Sequence, residues 1–327
     1  MRLTVSRARF ATRRPLVIAR GTESVVETCH VGVEHDGRTG YGEAVGVDYR
    51  GETADGIAAT LAGLSEALAA AGPEIAADTL LPAGARAALD AALVDLRAKR
   101  AGVRAATLFG VPPATALPSS WTINLGTPAA MAAEAAAMPA FASALKVKLG
   151  GPLAGDLERL GAVRAAQPAA TLLIDVNGAW SIDELAAALP RLAAFEVALI
   201  EQPCAPGADG DLARLRSPIL LCADESLQSS ADLDALPGGY GAINIKLDKC
   251  GGPTDALRLA RAAQARGLAV MAGSMLTTSL GIAPLFVLAG HARWFDIDAP
   301  TYLADDRSPA LERDGWRFEP PAAELWG

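Results

Sequence analysis

The chain is poor in aromatic residues, which make up 5% of its 327 positions, and it holds only three histidines and four cysteines. Abundant alanine and glycine with few aromatics suit closely packed helices better than a β-sandwich. Cys29, Cys204, Cys222 and Cys250 form no C-x-x-C pair, and none stands at zinc-ligand spacing from a histidine. They read as reduced thiols of a cytosolic protein. His30, His35 and His291 are scattered and no G-x-S-x-G elbow occurs, which argues against a Ser-His-Asp hydrolase. An excess of positive charge is also missing. The net charge of −8 argues against a nucleic-acid partner, and Arg2, Arg7, Arg9, Arg13 and Arg14 read as a solvated face of strand-like segments. The N-terminus lacks the apolar stretch of a secretory signal, and residues 279–290 are too short to span a bilayer and read as a buried helix. The expectation is a cytoplasmic protein without a membrane partner, its oligomeric state open to a homo-oligomer.

What is present is a large apolar fraction, 51%, against 20% charged residues. That is ample for a barrel with a smaller companion. Residues 2–10, 24–34 and 39–44 carry strand signals, with a hairpin turn at Asp36-Gly37. From Thr53 to about Ala106 the pattern is helical, so the N-terminal part reads as α+β. Beyond about Gly110, short apolar runs at 119–125, 144–149, 171–176, 197–200, 219–222, 242–245, 268–272 and 294–297 alternate with helical segments such as 129–137, 157–166, 182–194 and 254–266. Such alternation implies parallel strands joined by crossovers, and eight of them fit a closed barrel.

Charged or special residues close these runs at regular intervals: Lys148, Asp175, Glu201, Asp224, Lys246, Gly273 and Asp296, each 22 to 27 residues after the one before. Barrel enzymes build their sites at this end of the strands. Asp175, Glu201 and Asp224 would converge there. Any one alone reads as a salt-bridge partner, but three buried carboxylates repel one another unless a cation sits among them. Oxygen ligands without histidine or cysteine select Mg²⁺, with Mn²⁺ as substitute. Lys146 and Lys148, two apart in a strand, share a face, and Lys246 lies four strands on, across the barrel. Lys148 and Lys246 could therefore flank one bound molecule, as bases whose pKa is depressed by desolvation and by Lys146 and the metal. Asp296 and Asp298 share a face of the last strand and suit a substrate ammonium, or a salt bridge at the rim.

The ordered set K-x-K, D-x-N, E-Q-P, D-E-S and I-K-L-D-K-x-G-G resembles the enolase superfamily in its muconate-lactonising-enzyme subgroup, over nearly the whole chain. Lys246 stands where that subgroup carries its second lysine base. INIKLDKCGG, GSMLTTS and FDIDAPTYL further resemble the dipeptide epimerases acting on L-Ala-D/L-Glu, although Cys250 and Ser274-Met275 depart in detail. The resemblance implies a (β/α)7β TIM-like barrel at 111–300, an N-terminal α+β capping domain at 1–110, and a segment at 301–327 packing back on the cap. It implies an isomerase that epimerises a dipeptide at its C-terminal residue through an enediolate, in the recycling of murein peptides. The substrate carboxylate would meet the metal and Lys146. Asp296 and Asp298 would hold the α-ammonium, Arg20 on a capping loop the glutamate side chain, and Thr122, Ser274 and Met275 further parts of the substrate. Segments 20–24 and 47–53, with Gly46 and Gly51 as hinges, would form the lid. A cycloisomerase or an o-succinylbenzoate-synthase-type lyase would share the metal and lysines but has no ammonium for Asp296 and Asp298 to bind. A non-catalytic ligand-binding barrel would not need the full set.

Overall fold

In a computed structural model of the chain, residues 1–71, 81–138 and 144–327 are described. Strands β1 (Arg2–Ile18), β2 (Gly21–His35) and β3 (Arg38–Ala44) form an antiparallel sheet. Asp36 and Gly37 take φ of 50° and 72°, the left-handed pair that a two-residue hairpin requires. β1 runs past its expected end at residue 10. Its register with β2 shifts between Ala11 and Leu16, and that irregularity absorbs Arg13, Arg14 and Pro15, which carry no strand signal. Arg20 therefore sits at the tip of a tight hairpin, where Ile18 pairs with Gly21.

After β3 come a 3₁₀ turn (Asp48–Arg50) and then helices α1 (Ala54–Ala62), α2 (Ser65–Ala71), α3 (Ala83–Ala101) and α4 (Ala105–Leu108). The expected helical run is helical over much of its described length, and its residues 72–80 lie outside the described part. The 3₁₀ turn stands between Gly46 and Gly51, with φ of 87° and 74°. Helix α3 lies on the sheet so closely that a Cβ on Gly40 or Gly42 would come within 2.1 Å of a carbonyl oxygen of Ala92 or Ala88.

The remainder alternates as expected. After β4 (Leu117–Pro118), eight parallel strands follow in spatial order: β5 (Trp121–Ile123), β6 (Leu145–Lys148), β7 (Leu172–Asp175), β8 (Val197–Glu201), β9 (Leu220–Ala223), β10 (Ala242–Lys246), β11 (Ala269–Gly273) and β12 (Trp294–Asp296). Helices α5 (Pro128–Ala136), α6 (Leu153–Ala166), α7 (Ile182–Ala194), α8 (Leu212–Leu215), α9 (Leu247–Cys250), α10 (Pro253–Ala265) and α11 (Ser279–Ile282) lie between them. At the closure, Ser120 N donates to Phe295 O at 2.7 Å and Thr122 N to the Asp298 carboxylate at 2.8 Å. The segment expected as one buried helix at 279–290 divides into α11 and a 3₁₀ helix (Ala283–Leu288), with Pro284, which has no N–H to donate, near the junction. Among the described residues no helix is long and apolar enough to cross a membrane.

Period-two alternation sorts each barrel strand into two faces. Outward residues such as Val147, Ile174, Ile200 and Ile245 pack against the helices. Inward ones stack in layers: Ala144, Leu173, Leu199, Cys222, Ala242 and Met271 form an apolar plug. One pleat further along, the inward positions are Lys146, Asp175, Glu201, Asp224, Asn244 and Gly273. The chain returns through β13 (Arg313–Asp314) and β14 (Arg317–Phe318), which pairs with β4. Its end meets α3, where Trp326 Nε1 donates to Ala91 O at 3.0 Å and Gly327 N to Asp95 Oδ1 at 2.6 Å.

The closeness of α3 to β3 gives a direct test. Gly42→Ala drives a methyl group into the backbone of α3 and is expected to destabilise the protein by about 3 kcal/mol, at the upper end of overpacking costs, measured by urea unfolding.

Candidate active site

All the candidate residues of the barrel converge at the C-terminal ends of its strands. The ladder puts Lys148, Asp175 and Glu201 in one row across β6, β7 and β8. Asp175, Glu201 and Asp224 are almost wholly buried. Among the described residues no three carboxylate, thiolate or imidazole groups are gathered as a metal cage. Ammonium groups stand between the carboxylates instead. Lys146 Nζ lies 2.7 Å from Glu201 Oε2, 2.6 Å from Asp296 Oδ2 and 3.4 Å from Asp175 Oδ2. Lys148 Nζ donates to Asp175 Oδ2 and Lys246 Nζ to Asp224 Oδ2, both at 2.7 Å.

This arrangement corrects one expectation. A depressed pKa was expected for the bases, but that of Lys246 rises, as does that of Lys146, which was expected only as their charged neighbour. Burial works against their charge and is outweighed by carboxylates in direct contact, chiefly Asp296 and Glu201 for Lys146 and Asp224 for Lys246. Burial likewise pushes the carboxylates up, yet Lys148 and Lys146 hold Asp175 below the usual range, and Lys246 and Lys249 do the same for Asp224. Glu201 goes the other way, to about 7, through burial and then the nearby Asp175.

A divalent cation fits this set. Five buried carboxylates (Asp175, Glu201, Asp224, Asp296, Asp298) face four buried ammoniums (Lys146, Lys148, Lys246, Lys249), so negative charge is in excess. Glu201 Oε2 is buried and, despite its closeness to Lys146, has no aligned hydrogen-bond donor. Its other oxygen accepts Asn244 Nδ2 at 2.8 Å. Asn244 in turn needs Gly273, because a Cβ there would meet its amide oxygen at 2.5 Å.

The residues expected to contact substrate are held by neighbours. Asp296 accepts Ser120 Oγ at 2.8 Å as well as Lys146. Asp298 accepts Thr122 N at 2.8 Å and Thr122 Oγ1 at 3.2 Å, and burial with the adjacent Asp296 pushes it up to about 7. Thr122 thus supports Asp298. Arg20 Nη1 donates to Glu225 Oε1 at 2.5 Å and lies over the Tyr49 ring, 5.1 Å from its centroid. Ser274 and Met275 follow β11, half-buried.

Several residues were not singled out from sequence. Lys249 Nζ, one turn beyond Lys246, bonds Asp224 Oδ1 at 2.5 Å and the carbonyls of Asp224, Leu227 and Asn244. The carboxylate excess was the signal that could have found it. Gln202 Oε1 accepts the backbone N–H groups of Asp224 and Ser226, so the E-Q-P motif braces the D-E-S loop. The G-G of INIKLDKCGG serves packing. Gly251 and Gly252 have φ of 93° and 110°, and a Cβ on either would collide with Arg86 or Asp90 of α3.

Comparison with known proteins agrees with this geometry. Residues 1–110 match the family model "Mandelate racemase / muconate lactonizing enzyme, N-terminal domain", and residues 129–318 match "Enolase C-terminal domain-like". The chain is 40% identical over 300 residues to the L-Ala-D/L-Glu epimerase of Escherichia coli (strain K12), covering 91% of this chain and 93% of that one. A crystal structure of an enolase family member from Agrobacterium tumefaciens with homology to dipeptide epimerases, with bound sodium and L-Ala-L-Glu, superposes with a TM-score of 0.94 at 40% identity, covering 99% of both chains. The dipeptide epimerase of Enterococcus faecalis V583, complexed with Mg and L-Leu-L-Tyr, gives 0.91 at 26% identity over 98% or more of each chain. With both its cap and its barrel matched, the chain belongs to the mandelate racemase / muconate lactonizing enzyme family of the enolase superfamily.

Proposed function

We propose that this protein epimerises a dipeptide at the α-carbon of its C-terminal residue, with L-Ala-D/L-Glu as substrate, in the recycling of murein peptides in the cytoplasm. The observation that carries the reading is the placement of two lysines, Lys148 on β6 and Lys246 on β10, on opposite sides of one buried cluster of carboxylates. In this reading residues 1–110 form the specificity cap, 111–300 the catalytic barrel, and 301–327 a returning segment that braces the cap.

Asp175, Glu201 and Asp224 would hold Mg²⁺, with Mn²⁺ as a substitute. Bound there, the ion offsets the carboxylate excess and serves as a Lewis acid toward the substrate's carboxylate. Lys146 offers that carboxylate a fixed positive charge, already placed before reaction and so without reorganisation cost. One of Lys148 Nζ and Lys246 Nζ takes the α-proton from its face and the other delivers a proton to the opposite face, which inverts the carbon; the two exchange roles with the handedness of the substrate. Asp296 and Asp298 receive the dipeptide's ammonium, which relieves the repulsion between them. Arg20 meets the second residue's side-chain carboxylate from the cap. Ser274 and Met275 border the substrate beside β11, and Thr122 keeps Asp298 in place.

The direct experiment is ¹H NMR of L-Ala-L-Glu in D₂O with enzyme and Mg²⁺. The glutamate α-proton exchanges and the L-D epimer accumulates, and EDTA stops both. No exchange with any L-Ala-X dipeptide would overturn the reading. Lys148→Ala and Lys246→Ala are each expected to reduce epimerisation by about 10³-fold, within the usual contribution of a general acid or base, with the fold intact by circular dichroism. Gly273→Ala displaces Asn244 from Glu201 and is expected to raise the Mg²⁺ concentration for half-activation about tenfold, as for other losses of groups that orient metal ligands.

A further inference from the structure

We propose that Glu225 is the positioning residue that fixes Arg20 and thereby sets the preference for an acidic side chain in the dipeptide's second position. The proposal rests on the role given to Arg20 above and extends it to a residue of the barrel. Glu225 follows Asp224 on the loop braced by Gln202, and only 6% of its side chain is exposed, against 33% for Arg20. Of the two partners, the glutamate is therefore the fixed one. Its Oε1 accepts Arg20 Nη1 at 2.5 Å and Asn177 Nδ2 at 3.4 Å. Asn177 belongs to the D-x-N motif, and its backbone N–H donates to Asp175 Oδ1 at 3.0 Å. The Arg20 guanidinium is held on its other side by Tyr49, whose hydroxyl accepts Gln228 Nε2 at 3.2 Å.

The bond to Glu225 engages one terminal nitrogen of Arg20 and leaves Nε and the other terminal nitrogen as a fork for a second carboxylate. A cavity of about 390 Å³ lies alongside, lined by Arg20, Tyr49, Asn177, Pro206, Glu225 and Gln228. Its lining sets the cations Arg20 and Arg50 and the apolar Ala205 and Pro206 beside the carboxylate of Glu225. Without Glu225 the long side chain of Arg20, on a hairpin tip, would have to be ordered by the substrate itself, and that ordering cost would appear in KM. Glu225 also repels an incoming carboxylate. Positioning and repulsion act on KM in opposite directions, so the experiment can tell them apart.

The test compares L-Ala-L-Glu with L-Ala-L-Met, similar in length but uncharged, by steady-state epimerisation with Mg²⁺. E225M keeps the bulk and removes the acceptor. The ratio of kcat/KM for L-Ala-L-Glu to that for L-Ala-L-Met is expected to fall about tenfold, the scale of one hydrogen bond to a charged group, through KM for L-Ala-L-Glu. E225Q keeps an acceptor oxygen and restores most of the ratio. In an R20M background, E225M changes the ratio no further. If E225M does not fold, E225D, which withdraws the carboxylate by one methylene, is expected to give the same loss. A lower KM for L-Ala-L-Glu in E225M and E225Q, an equal loss for both dipeptides, or an unchanged ratio would overturn the proposal. If R20M abolishes the acidic preference while E225M leaves it, Glu225 is refuted and the Arg20 reading stands. If R20M leaves the preference intact, both fall.

Discussion

Everything at the mouth of this barrel depends on keeping buried charge compensated. An isolated carboxylate inside a protein is costly, and here five are buried together at one end of the barrel. Lys146 reaches three of them and Lys249 locks the backbone and side chain of Asp224 together. The same contacts that make the cluster tolerable hold its members at fixed positions before any substrate arrives. Glu201 and Asp298 are the members least favoured as anions, both pushed up to about 7, chiefly by burial and then by the neighbouring carboxylates Asp175 and Asp296. A site whose buried carboxylates outnumber its ammoniums is suited to take in cations: a metal ion at one side and an ammonium group at the other.

The cap is joined to this cluster by polar contacts of the same kind. Glu43 at the end of β3 accepts the hydroxyls of Thr277 and Thr278, and Asp248 accepts the backbone N–H groups of Val45 and Gly46. Asp90 of α3 accepts the N–H and hydroxyl of Thr254, both at 2.8 Å. Asp248 stands two residues after Lys246, so the turn that carries Tyr49 is anchored next to the lysine it covers. Asp248 is buried in this joint, and burial pushes its carboxyl up to about 6.

The barrel was legible in the sequence because its two signals are periodic. Apolar runs and the charges that close them recur at one spacing, and each charge falls on the inward pleat. Lys249 escaped notice because it stands on the turn after β10, off the strand period. Glu225 escaped because it stands beside Asp224, which accounts for the motif by itself. The hairpin that carries Arg20 was harder to read, since Arg13, Arg14 and Pro15 interrupt the strand pattern and only the β1–β2 register shows the strand continuing. The lysine pKa values were misjudged because sequence shows which charges share a layer but not which are in contact. Lys246 touches Asp224 at 2.7 Å, and that contact, with the charge of Glu201 beside it, outweighs burial.

The apolar plug formed by Leu173, Leu199, Cys222 and Met271 closes the lower end of the barrel. Traffic through the site is therefore one-way in and the same way out. Both epimers, which differ only in the handedness of one carbon, leave by the end at which the substrate entered. A reversible reaction with a single door ties turnover to how tightly that door grips its cargo. Selectivity gained at the cap is then repaid in residence time, whichever epimer happens to be product.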